Sequence, residues 1–493
     1  MPPRRVNPRK TPRRRGPPRQ PKAHPPKRPH DARRPRPSPD AHLPMSTYPR
    51  QMSIGMNILG LGGHQAAWRI GEVPSSALQD VKYFQNIARI SERGTLDAIF
   101  LADGPALAGS VAGQPAGRLE PTVLLTAVAL ATERIGIIAT ASTTYNSPFN
   151  LARRLGSMDF ISNGRAAWNV VTNAGDAAAQ NFGLGGAPLH VDRYERAAEF
   201  VEVAIKLWDS WEDSAIIGDR VAGRFADESK VHAIDHVGKH FSVKGPLNLP
   251  RSPQGRPVLV QAGGSEGGKA LGSRYADAIF CTQTTLEDGV AFYDEMKARA
   301  RGWGRDPEHL KIMPGLSTVI GSTEEEANRR CDELDAYQGP DGALAQVAQR
   351  IGIPLKELDL DGPLPWKRLG DLTPPEKGSH GFFEAQIKLA KRENLTVRQL
   401  SKRIRSGHRL AVGSPAQIAD TLSEWFLAGA ADGFNLMPDY FPSGAEIFVD
   451  HVVPILRRRG LFRHEYTGST LREHLGIPRP VSQYAVRQAV RSA

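Results

Sequence analysis

Eight short apolar runs recur between residues 52 and 437, most of them followed by a stretch with apolar residues at helical spacing. This alternation restricts the fold more than any other feature. The runs lie at 52–59, 97–101, 135–140, 165–172, 258–261, 278–281, 312–319 and 433–437. Helices are predicted at 76–93, 121–134, 148–161, 192–211, 266–275, 286–301, 324–336 and 445–459. Tyr83, Ile87 and Ile90 share a face of the first, and Asp192 with Glu195 has the spacing of a capping box at the start of the fourth. Parallel strands need helical crossovers, and eight such units close on themselves, so the expected fold is α/β, a (β/α)8 TIM barrel. An open doubly wound sheet is the alternative. Two stretches break the repeat. Residues 216–249 read as a β-rich insertion before strand five, and residues 339–409, with a Lys/Arg-rich helix predicted at 383–405, as a longer one before strand eight. Long excursions at a barrel mouth are often lids or substrate loops.

The net charge of +12 invites a nucleic-acid partner, so its location matters. Residues 1–44 hold 14 Lys or Arg against 2 Asp, which leaves 50 basic and 50 acidic residues in the remainder; nucleic acid is therefore not expected as a partner of the body. The same segment carries 14 of the 39 prolines and no apolar periodicity, the composition of a disordered tail. The explanations that compete for it are a start at Met45 with translated leader upstream, a solvated linker, a nucleic-acid or membrane-surface arm, and a targeting peptide, which fits poorly because the segment has no apolar or amphipathic stretch. Domain boundaries follow: tail 1–44, barrel 45–480 and a short C-terminal tail 481–493. No apolar run approaches the roughly 20 residues that span a bilayer. Two cysteines, Cys281 and Cys331, make no disulfide framework and suit a reducing, cytoplasmic compartment.

In a barrel of this type chemistry gathers where the strands end. Asp103 follows strand two, Thr140 to Thr144 follow strand three, and Ser265 follows strand five. Strand four lies in GRAAWNVVTNAGDAAAQNFG, where Trp168, Asn169, Thr172 and Asn173 interrupt what a buried strand would keep aliphatic. After strand five, AGGSEGG puts Gly263, Gly264 and Ser265 at a helix start, where free N–H groups and the dipole favour a phosphate; a plain turn capped by Ser265 is the bland alternative. His190 and Tyr194, four apart, face one side of a helix. No Gly-x-Gly-x-x-Gly, Gly-Lys-Ser/Thr, His-Glu-x-x-His or Cys-x-x-Cys motif is present, which leaves a dinucleotide site, nucleotide hydrolysis and structural zinc unsupported. His232, His236 and His240 mimic a metal-binding spacing inside what reads as a surface insertion.

These positions together resemble the bacterial-luciferase-like flavin monooxygenases, in the group of the nitrilotriacetate, EDTA and dibenzothiophene-sulfone monooxygenases. The resemblance is carried by FLADG (100–104), ATASTTYNSPFNLARR (139–154), GRAAWNVVTN (164–173), HVDRYERAAEF (190–200), QAGGSEGG (261–268) and GAADGFNLMP (429–438), and spans roughly residues 48–480. It implies the eight-stranded barrel, FMN used as FMNH2 with O2, a separate NAD(P)H-dependent flavin reductase as partner, a small organic substrate, and a homo-oligomer. Carried over by position, it makes Asp103, Thr140, His190, Tyr194 and Ser265 cofactor-binding residues, with Asn169 among those flanking the flavin ring. It fixes no general acid or base. A coenzyme F420-dependent oxidoreductase of the same fold, and a flavin-binding protein without activity, are the competing readings. Asn163 stands where similar chains commonly have glycine, and a turn Asn tolerates the same left-handed backbone.

Overall fold

The computed structural model describes residues 50–107, 111–113, 115–370, 380–405 and 407–485. The expected tail at 1–44 and most of the C-terminal tail lie outside these residues. Eight strands form the barrel: β1 Ser53–Asn57, β2 Ala98–Leu101, β3 Gly136–Ser142, β4 Ala166–Val171, β5 Val258–Ala262, β6 Ala278–Cys281, β7 Lys311–Ile320 and β8 Gly433–Pro438. Each pairs in parallel with its sequence neighbours, β8 pairs with both β1 and β7, and the sheet closes. The barrel is therefore the fold that the strand-helix alternation predicted. Helices cover the outer face and side chains fill the inner one, which is why the strands read as near-continuous apolar runs instead of alternating.

Local chemistry sets the helix starts. Asp80, Ser265, Thr285 and Thr323 accept a backbone N–H at the N-termini of Val81–Arg93, Glu266–Tyr275, Leu286–Gly302 and Glu324–Gln338, and Pro121 and Pro148 open Pro121–Ala129 and Pro148–Ile161. Asn163 takes the left-handed conformation expected of it, at φ 54°. The floor of the barrel is shut by the C-terminal segment. Leu471 and Leu475 pack against Phe100, Val258, Val260 and Met313, while Arg463 pairs with Asp97 at 2.6 Å and Arg472 with Asp277 at 2.9 Å. Those two aspartates also accept the backbone N–H of Ile54 and Leu259, so the buried charges are both paired and hydrogen-bonded.

Several boundaries differ from expectation. Asp192 does not cap: the fourth helix runs His190–Trp208, so Asp192 sits inside its first turn, and Glu195 bonds Lys239 of the insertion instead of closing a capping box. Pro121–Ala129 stops short of 134, because the chain turns there to bring Arg134 and Ile135 N–H groups onto the Glu92 carboxylate. The predicted helix at 383–405 is two, His380–Glu393 and Val397–Arg403, separated where Asn394 adopts φ 51° and Thr396 starts a new capping box. With Pro340–Ile351 they share a small core of their own, including Leu344, Val347, Leu389 and Leu400. Strand His408–Gly413, which pairs in parallel with β7, and the capped helix Pro415–Leu427 were not anticipated. Residues 216–249 do form hairpins, Ile216–Asp219 with Arg224–Ala226 and His236–Val237 with Ser242–Val243. Among the described residues no helix is long and apolar enough to cross a membrane.

Candidate active site

At the C-terminal end of β5 the chain turns sharply into Glu266–Tyr275. Ser265 Oγ accepts the Gly268 N–H at 3.3 Å and lies 3.3 Å from His190 Nε2, while the His190 and Tyr194 rings sit 4.7 Å apart on the start of the neighbouring helix. The glycines of this turn leave no room for side chains. A Cβ on Gly263 would meet Gln261 Nε2 at 2.6 Å, and one on Gly267 would meet the Tyr194 ring at 2.8 Å. A cleft of about 170 Å³ opens here, lined also by Thr172, Asn173 and Arg193. Arg193 is buried, donates to the Pro188 carbonyl at 2.8 Å and keeps its Nε without a partner. Backbone N–H groups at a helix start, a hydroxyl, an imidazole and a guanidinium make a site built for an anion.

Strand β4 has two faces with separate tasks. Trp168 points outward, donates to the Ala141 carbonyl at 2.9 Å, and packs between Phe200 and Trp208 on His190–Trp208. Asn169 points into the barrel, where its Nδ2 donates to Thr140 Oγ1 at 2.9 Å and its Oδ1 has no donor. Asn57, which ends β1, and Asn435, deeper in β8, also hold buried amide oxygens without donors. Leaving a buried acceptor unmet costs roughly 1–3 kcal/mol, so these oxygens can take donors from a guest in the barrel mouth. Asp103 follows β2 half-buried; burial pushes its carboxyl pKa up, the Gly104 N–H works against this, and the nearby Glu120 charge adds to it.

A second cleft, of about 160 Å³, lies beyond β1 between residues 59–68 and the chain at Pro115 and Arg118. Its wall is pinned by His64, whose Nδ1 accepts the Ala66 N–H at 3.0 Å and whose Nε2 meets Asp335 at 3.1 Å. Arg405 Nη1 donates to the same carboxylate at 2.6 Å. Burial lowers the His64 pKa, with its Asp335 hydrogen bond opposing. Burial alone would raise the Asp335 carboxyl, but the His64 and Arg405 bonds and the Arg405 charge outweigh it and hold the pKa at about 2. The three insertion histidines do not converge. His232 meets Glu212 at 2.8 Å, His236 meets Glu199 at 3.1 Å, and no group of three His, Cys, Asp or Glu able to hold a metal occurs among the described residues.

Residues 61–432 match the model of the luciferase-like monooxygenase family. The chain belongs to that family. It is 47% identical over 451 residues to nitrilotriacetate monooxygenase component A of Aminobacter aminovorans, covering 88% of this chain and 98% of that one. It is 45% identical to the N-acetyl-S-(2-succino)cysteine monooxygenase of Bacillus subtilis (strain 168), covering 90% and 100%. Among solved structures, EDTA monooxygenase from Chelativorans sp. BNC1 superposes with a TM-score of 0.73 at 38% identity, covering 87% and 99%. The resemblance read from the sequence motifs and the barrel are thus both borne out, and the protein is an oxidoreductase of the monooxygenase type.

In this luciferase-like monooxygenase the expected residues fall into groups. His190, Tyr194 and Ser265 meet at one cleft, Thr140 and Asn169 pair inside the barrel, and Asp103 makes no hydrogen bond to any of the five among the described residues. Sequence reasoning missed Asn57, Asn435, Arg193 and the whole second cleft. Asn57 was legible in principle, since it is an amide set in an apolar strand run, as Asn169 is. Arg193 was not, because in HVDRY it reads as an ordinary exposed helix charge.

Proposed function

We propose that the chain is the oxygenase of a two-component system, which takes reduced FMN from a separate NAD(P)H-dependent flavin reductase and uses O2 to oxygenate a small organic molecule. The observation that carries this reading is the glycine-walled anion cradle at Ser265, set beside a barrel interior whose buried amide oxygens lack donors. A phosphate fits the first, and the N–H groups of a reduced isoalloxazine ring fit the second. When bound, FMNH2 supplies the two electrons with which O2 is split, one oxygen atom going to substrate and the other to water.

The protein's own share is binding, orientation and exclusion of water. Ser265, His190 and the N–H groups after Gly263 hold the phosphate, and Tyr194 walls the cradle. Asn169, fixed by Thr140, and Asn57 accept from the ring, while Asp103 serves the ring or ribityl chain from β2. Phe100, Ile138, Phe280 and Met313 keep the barrel below the ring apolar and dry. The absence of a dinucleotide fingerprint agrees with reduction taking place on another protein. A cytoplasmic setting and a homo-oligomer belong to the same proposal; Val123 and Leu130, at 70% and 74% exposure around Pro121–Ala129, are apolar surface that a second copy would cover.

The test is reconstitution of the full chain with FMN, NADH and a generic flavin reductase, following substrate-dependent O2 uptake. Nitrilotriacetate and N-acetyl-S-(2-succino)cysteine are the first compounds to try. No uptake is expected when the reductase is left out. Turnover with NAD(P)H alone would overturn the two-component reading, and tight binding of reduced F420 with no binding of FMNH2 would favour the deazaflavin alternative.

A further inference from the structure

The cleft beyond β1 is not used by the phosphate cradle or the ring site, yet it is built from specific donors. Trp68 Nε1 is buried there without an acceptor among the described residues. Arg118 stands exposed at the rim and has no hydrogen-bond or ion-pair partner among the described residues; the Asp103 charge is near enough to be felt, but no ion pair forms. Among the described residues no Asp or Glu lines the cleft. The one histidine in the wall has both ring nitrogens engaged, by Ala66 and Asp335, so it supplies shape and no free acceptor.

Both donors are held in place from outside. The short helix Ala67–Arg69 that carries Trp68 is tied by the Arg69 guanidinium to the Tyr337 carbonyl and ring. The chain around Arg118 is tied on one side by Gln79 to the Gly117 carbonyl and on the other by Glu120, which caps Pro121–Ala129 through the Val123 N–H. A guanidinium and an indole N–H that face one cleft with no internal acceptor present a charged and a neutral donor to the same guest.

We infer that this cleft receives a carboxylate of the substrate, so that the chain acts on small organic acids, with Arg118 as the charge that selects them and Trp68 as the second donor. The inference rests on the proposed function, in that the cofactor is held by the strand ends and the Ser265 turn and leaves the cleft formed by the loop beyond β1 to substrate.

The test titrates the full chain, with and without FMN, by calorimetry against nitrilotriacetate, N-acetyl-S-(2-succino)cysteine and, as an uncharged control, dibenzothiophene sulfone. Both acids are expected to bind, more weakly as ionic strength rises, and the sulfone not at all. Arg118→Gln should weaken the acids tenfold or more and Trp68→Phe several-fold, with FMN affinity unchanged in both. Failure of the wild-type chain to bind either acid, or acid affinity unaltered in Arg118→Gln, would overturn the inference. Loss of FMN binding by the wild-type chain would instead overturn the proposed function, and the titrations without FMN would still read the cleft.

Discussion

Replacing Ser265 by alanine separates the two roles the structure gives it. The first is mechanical. Ser265 Oγ accepts the Gly268 N–H at the start of Glu266–Tyr275, and losing an N-cap of this kind costs about 1 kcal/mol. Spread over a body of this size, that lowers Tm by only about 1–2 °C. The second role is toward phosphate: a hydrogen bond to a charged group is worth roughly 1.5–3 kcal/mol, so FMN affinity should fall about 10- to 150-fold. Riboflavin, which lacks the phosphate, distinguishes the two. Flavin fluorescence titrations of wild type and Ser265→Ala with both ligands should show the loss for FMN and almost none for riboflavin. An equal loss for both would mean that the serine acts only by shaping the helix start, and the phosphate assignment would fall.

Three further outcomes follow from the same geometry. Asn169→Leu removes a buried oxygen without a donor, so the chain without flavin should be at least as stable in urea as wild type, while FMN binds about tenfold more weakly. Trp168→Ala should cost about 3–5 kcal/mol in the same melts, because it empties the space between Phe200 and Trp208, yet leave FMN affinity unchanged since the ring faces away from the mouth. His474, buried under the barrel floor, has its pKa pushed down to about 4 by burial and the nearby Arg463 charge. Its unfolded pKa is higher, near 6.5, so the unfolded chain takes up the proton first; stability is full above about 6.5 and falls by about 3 kcal/mol as pH drops toward 4. His474→Phe should flatten urea midpoints across that window, and an unchanged slope would contradict the burial argument.

How much of this was visible in the sequence depended on whether backbone regularity or tertiary placement decided it. The strands β2, β5 and β6 were legible almost to the residue, since a strand buried on both faces must be apolar throughout and the polar residues mark its end. Ser265 was legible because a cap, a glycine turn and a helix start are local events. The Asp192 capping box failed for the opposite reason. Its spacing was correct, but Glu195 had a stronger offer from Lys239 across 44 positions of chain, and no local pattern contains that. Strand His408–Gly413 was hidden at the close of a long insertion. Its identity comes from pairing with β7, where the Leu316↔Arg409 register places it, and its sequence HRLAVG is too short to show a period.

The two sides of the barrel mouth differ in the same way, and the difference bears on function. The side that would hold the cofactor is made by ends of regular strands and one helix start, so its residues sit at fixed offsets from elements that the sequence reveals. The other side is made by the chain after β1 and the stretch around Arg118, held by His64–Asp335–Arg405, by Arg69 on Tyr337 and by Gln79 on Gly117. Every one of those ties is long-range. Loops anchored by side chains can change residue by residue without disturbing the barrel, whereas the strand ends cannot. A barrel organised in this way keeps its redox chemistry constant and lets the substrate vary, so the specificity of this chain should be sought at Trp68 and Arg118 before the residues around Ser265.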